Sequence, residues 1–172
     1  MLLVCAFFVS LLLTCSSCTL SAKSESTMDG ITRDEAVRMV RAYFKSHGLE
    51  SPGLNEHNLG GAAVGENQIY FEYQPALRAL KCSALIYKFH DDPKPGVLEG
   101  FKVEEQRMTT DAAGAKLEYE PENKGLYLSR TYTEPIPDAE FGRDLTIMMK
   151  ASDVYGEQVL DRVADKVFNQ DK

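Results

Sequence analysis

Tryptophan is absent from the 172-residue chain, histidine occurs three times and cysteine four. Cys5, Cys15 and Cys18 all precede Leu20, so the rest of the sequence holds Cys82 alone. An intramolecular disulfide framework is thereby excluded, and the domain must hold itself by packing. Basic residues are short as well: 19 Lys+Arg against 26 Asp+Glu give a formal charge of −7. Phosphate contacts need clustered cations, so nucleic acid is not the expected partner. No phosphate-binding glycine loop and no serine-hydrolase elbow occur. His47, His57 and His90 have no metal-ligand spacing among themselves. The expectation is therefore a non-enzymatic protein without a cofactor. What is present is globular: 44% apolar and 26% charged residues argue against disorder and collagen-like repetition. The length suits one domain and is too small for two comfortable ones.

Charge is also missing from the beginning of the chain, where the first ionised side chain is Lys23. Leu2 to Leu13 is an apolar run broken only by Ser10. Twelve helical residues span about 18 Å, short of the ~30 Å hydrocarbon core, so a signal-peptide core fits better than a spanning helix. Residues 1–22 read as a signal, with the lipidated cysteine of a bacterial lipoprotein at Cys18, behind the small pair Ser16-Ser17. Cys15, preceded by Leu12-Leu13-Thr14, and cleavage after Ala22 are the alternatives. Residues 23–31 read as a polar tether, and 32–172 as a single domain. The protein is then exported to the cell envelope, lipid-anchored at the membrane or secreted.

Thr32-Arg33-Asp34-Glu35 is a capping box. Ala36, Val37, Val40, Tyr43 and Phe44 follow at helical spacing, and Gly48 suits a left-handed terminus, which predicts a helix over 33–47. From Gly60 the period becomes two. Ile69, Phe71 and Tyr73 share one face of a strand and Tyr70 and Glu72 the other, with Gly61–Val64 as a hairpin partner. Leu80–Phe89 reads as a central strand, apolar on both sides near its end. Val97–Met108 fits a short helix or a strand. Ala115, Leu117 and Tyr119 alternate with charge, Pro121–Gly125 is a turn, and Leu126, Leu128, Arg130 and Tyr132 share a face of the return strand. Pro135-Ile136-Pro137 ends the strands, Asp138 can cap, and one long helix or two joined near Gly156 close the chain. The expected class is α+β: one antiparallel sheet of about five strands with the first and last helices packed on it.

Few side chains group as chemistry would require. His90 with Asp91 and Asp92 reads as a solvated strand-end turn rather than a metal site. Glu118, Glu120 and Glu122 place carboxylates on one strand face and its turn, and read as its wet side rather than as acid–base catalysts. Cys82 lacks a Cys–His motif and reads as a buried structural thiol. Aromatic residues on an uncovered sheet face can form a recognition surface. The tyrosines chosen as partner-binding candidates are Tyr70, Tyr73, Tyr87 and Tyr127.

The strand pair "AKLEYEPENKGLYLSRTY", the link "TEPIPD" and the helix "LTIMMKASDVYGEQVL" resemble the ending of the CesT/YbjN type, the fold of type III secretion chaperones. The resemblance runs from Asp34 to about Leu160. It implies a helix, antiparallel strands, an intervening helix, a hairpin and a C-terminal helix. It also implies a non-enzymatic, often dimeric protein that holds an extended protein or peptide partner. Those chaperones are cytosolic, whereas this chain begins with an export signal. A small-ligand or lipid carrier with a cavity between sheet and helices is the main alternative, and a hydrolase with dispersed catalytic residues a third. An exposed groove, a closed cavity or a cleft of perturbed acids would separate them.

Overall fold

The computed structural model describes residues 30–51, 53–107 and 111–168. Residues 1–22 with Cys15 and Cys18, and most of the 23–31 tether, lie outside the described residues.

Helix α1 (Arg33–Ser46) starts where the capping box places it. The Glu35 amide donates to Thr32 Oγ1 at 3.2 Å, and Glu35 Oε2 accepts from the Thr32 amide at 2.8 Å. The helix ends in a Schellman motif: Leu49 N–H reaches Phe44 O at 2.9 Å and Gly48 N–H reaches Lys45 O at 3.1 Å. Gly48 takes φ +69°, a conformation that side chains disfavour. The buried stripe is Ala36, Met39, Val40, Tyr43 and Phe44, with Val37 at its margin.

Strands β1 (Leu59–Val64), β2 (Asn67–Gln74), β3 (Ala79–Lys88), β4 (Lys116–Glu120) and β5 (Gly125–Tyr132) form one antiparallel sheet. Their order is β1-β2-β3-β5-β4, so β3 is central as its two-sided apolar content requires. Helix α2 (Val97–Arg107) settles the ambiguous segment. Val97, Phe101 and Glu104 are its buried residues, four and three apart, a helical spacing. The strand alternative needed Val103 inside, and Val103 is 42% exposed. Met108 lies outside the described residues.

Helix α3 (Asp138–Val154), a π-helical turn (Tyr155–Val159) and helix α4 (Leu160–Phe168) run on as one rod. Both alternatives for the C-terminus thus hold in part: the helix is continuous, but one extra residue enters its ladder at Gly156. The Leu160 amide reaches back five residues to Tyr155 O. Asp138 does not cap α3, contrary to expectation. Pro137 occupies the cap position without a side-chain bond, and the Asp138 carboxylate instead accepts from Arg38 of α1. One residue inside the helix, Asp138 still faces the positive end of the dipole.

The core lies between one sheet face and α1 and α3. Phe44, Phe71 and Phe141 are fully buried there and stack edge-on or tilted with Tyr43 and Tyr132. Each such ring contributes about 1.5–3 kcal/mol on burial. Among the described residues no helix is long and apolar enough to cross a membrane.

Candidate functional site

Register fixes which side chains meet the helices. Ile69, Phe71 and Tyr73 of β2 pair with Ala84, Cys82 and Leu80 of β3, and these pair on with Leu128, Arg130 and Tyr132 of β5. All point toward α1 and α3. The alternate residues Gln68, Tyr70, Glu72, Lys81, Ser83, Tyr127, Ser129, Glu118 and Glu120 form the opposite face, which no helix among the described residues covers.

The four tyrosines divide accordingly. Tyr70 and Tyr127 meet on the uncovered face, edge to face, with centroids 5.9 Å apart. Tyr73 belongs to the core, contrary to expectation: it is 7% exposed and its hydroxyl donates to Ile31 O at 3.1 Å. Its parity with Phe71 decides its side, and the bond to Ile31 satisfies the hydroxyl there. Tyr87 also departs from the expected surface. Ile86 is an extra residue between the pairs Leu85–Tyr127 and Tyr87–Leu126. This bulge turns Tyr87 to the helix side, where it is 40% exposed beside Phe89 and α4.

An open basin of about 440 Å³ lies on the uncovered face, lined by Tyr70, Tyr127, Leu59, Leu85, Glu72 and Glu120 among others. Behind it Lys81 Nζ bridges Glu118 at 2.8 Å and Glu120 at 3.3 Å. Burial pulls the Lys81 ammonium down, but the bonds and charges of both carboxylates outweigh it and leave it above the ordinary lysine range. Burial pushes the Glu118 carboxyl up, yet bonds from Lys81 and Ser129 hold it below the usual value. Ser83 and Ser129 hydroxyls meet at 2.9 Å beneath these groups. Both carboxylates are therefore held by Lys81, and the lowered Glu118 carboxyl accepts rather than donates, a poor set for a general acid. Glu122 stays exposed in the turn.

Other candidates carry little chemistry. Cys82 is fully buried, and desolvation drives its thiol well above the ordinary range despite the nearby Arg130. His90 Nδ1 lies 3.1 Å from Asp91 Oδ2, both well exposed. Among the described residues no three His, Cys, Asp or Glu side chains group as a metal site.

The two sheet edges differ. In an antiparallel ladder alternate residues turn their amide and carbonyl outward. On β1 these are Leu59, Gly61 and Ala63. Asn55 closes off Leu59: its amide donates to Leu59 O at 2.8 Å, and its Oδ1 accepts from Leu59 N–H at 3.0 Å. Gly61 and Ala63 are exposed. Leu59–Val64 contains no charge, proline or bulge, the usual protections of an edge. The β4 edge is shielded by α2, whose Glu105 Oε1 accepts from Leu117 N–H at 2.9 Å. No pattern in the strand residues named Asn55, Gly61 and Ala63 as important; the uncharged six-residue run was the available signal.

No family model matches the chain, and no curated protein matches it. Solved structures do. A chain of the structure described as "Crystal Structure of the ExsC-ExsE Complex" superposes with a TM-score of 0.61 at 9% identity, covering 75% of this chain and 96% of that one. A chain of "Structure of the HopA1-SchA Chaperone-Effector Complex" gives 0.54 at 11% identity, covering 74% and 98%. The resemblance to the type III secretion chaperone fold therefore holds in three dimensions.

Proposed function

We propose that this chaperone-like domain is a non-enzymatic module that captures an extended segment of a partner protein by strand addition at β1. The uncovered groups of Gly61 and Ala63 carry the proposal. An incoming strand would pair with them and lay alternate side chains toward the basin of Tyr70 and Tyr127. Two of the similar solved structures are complexes, one named as chaperone and effector, which supports a protein partner. The described basins are open, whereas a small-ligand carrier encloses most of its cargo. A second copy of the chain is another partner for the same edge, giving a homodimer.

Export to the envelope and acylation at Cys18 complete the proposal. Each buried CH₂ contributes about 0.8 kcal/mol, so a multiply acylated Cys18 would resist salt washing. Cys18→Ser should release the protein from membranes or stall its processing. Normal processing with membrane retention would move the anchor elsewhere.

Strand capture is tested with Ala63→Pro. The Ala63 amide points away from β2, so proline removes a docking donor while leaving the β1–β2 ladder intact. Peptides selected against the domain from a random library should protect the Gly61 and Ala63 amides from exchange and fail to bind the variant. Peptides that bind both forms alike would count against the β1 edge.

A further inference from the structure

Helix α4 is attached differently from the rest of the rod. It has nine residues, below the ~12–15 at which an isolated helix becomes even marginally stable in water. The π turn before it replaces the α-helical ladder by i→i−5 bonds, so the rod is irregular at this point. Whereas α3 packs on the sheet and α1 through Phe141, Leu145, Met148 and Met149, α4 lies against α2.

Two contacts make that seam. Val163 sits over Gly100 so closely that a Cβ there would lie 2.9 Å from its methyl carbon. Glu104 of α2, 6% exposed, takes Lys166 Nζ at 2.6 Å and Arg162 Nε at 3.2 Å, with Arg107 at 3.4 Å. Arg162 and Lys166 of α4 thus both reach this one carboxylate. Removing its charge takes a shared counterion from Lys166, Arg162 and Arg107 in a half-buried seam, a costly change. Beside the seam an open groove of about 350 Å³ runs between Tyr87, Phe89 and Val97 on one side and Leu160, Val163 and Ala164 on the other.

We propose that α4 is a releasable arm, hinged at the π turn and latched to α2 by Glu104, whose opening widens the apolar groove along Tyr87, Phe89 and Val97. Opening also loosens α2, and with it the Glu105 contact that shields the β4 edge. The device is independent of strand capture at β1.

Cys82 supplies an internal reference, because it reacts only when the main core opens. In the full chain carrying Val163→Cys, labelling at each thiol is followed by peptide mass mapping. Cys82 should lag the thiol at position 163 by about tenfold or more, as for a sub-global opening. Adding Glu104→Gln should speed labelling at 163 about tenfold and leave Cys82 unchanged. One common rate for both positions, or equal acceleration of both, would overturn the arm. Hydrogen exchange on chains with native Val163 guards against an effect of the probe itself. Glu104→Gln should raise exchange across residues 160–168 and 97–107 and spare α1, α3 and the sheet. Uniform or absent change refutes the latch.

Discussion

Gly156 of the π turn stands against the backbone carbonyl of Ile86, the extra residue of the β3 bulge. A Cβ on Gly156 would lie 3.2 Å from that oxygen. An irregular helix turn and an irregular strand thus meet face to face, and each accommodates the other.

Gly156→Ala should consequently lower stability by about 1 kcal/mol, because strain against a backbone atom exceeds the alanine helix preference. Gly142 in α3 is the control. Nothing lies within 4 Å of its Cβ position, so Gly142→Ala should stabilise by about 0.5–1 kcal/mol. Urea unfolding of both variants measures the pair. Two shifts of the same sign would show that the Ile86 contact has no energetic weight.

Glu35, Glu104 and Glu118 all titrate below their ordinary value of 4.5. A carboxyl lowered in the folded state stabilises the fold above its unfolded pKa, and that stability is lost as pH falls through the folded value. The domain should lose stability progressively below about pH 4.5. Glu118→Gln should flatten this acid limb when unfolding free energy is plotted against pH. A limb of unchanged slope would remove Glu118 from the set.

Lys81 behaves oppositely. Its raised pKa adds stability that is complete below the unfolded value of 10.5 and declines as pH rises through the folded one. Lys81→Met should abolish that alkaline decline and leave Glu118 and Glu120 facing each other unpaired at neutral pH. A loss of about 1–3 kcal/mol is expected at pH 7, with recovery toward acid as Glu118 protonates. A loss independent of pH would assign the effect to packing alone.

Thiol titration of the native protein should find Cys82 slow, accelerating with denaturant in step with the loss of tertiary signal. Fast labelling of the folded protein would place a thiolate at the surface and reopen a catalytic role. Tyr43, whose hydroxyl burial pushes up to about 12, should ionise late in the same preparation.

Local patterns were sufficient for most of the fold. The capping box at Thr32, the glycine after α1 and the parity of Ile69, Phe71 and Tyr73 each rest on neighbours a few residues apart. The hairpin at Pro121–Gly125 did too. Tyr87 was misplaced because a single bulged residue reverses the parity of everything beyond it, and nothing in "ALIYK" marks the bulge. Tyr73 shares the apolar face of Ile69 and Phe71 in the sequence pattern itself; the Ile31 carbonyl that satisfies its hydroxyl lies 42 positions away. The pairing of Lys81 with Glu118 and Glu120 was equally invisible, since it reaches across β5. Asp138 shows the same limit, its partner Arg38 being 100 residues earlier.

The unequal edges of the sheet set a stoichiometry. A sheet with two bare edges can pass strand pairing from molecule to molecule without end, as fibres do. Here Glu105 of α2 occupies the Leu117 amide on the β4 side, so the two edges are not equivalent acceptors. Strand addition of the proposed kind would then favour one edge over the other. If β1 captures an extended chain as proposed, the difference between the edges would favour a discrete complex over a polymer.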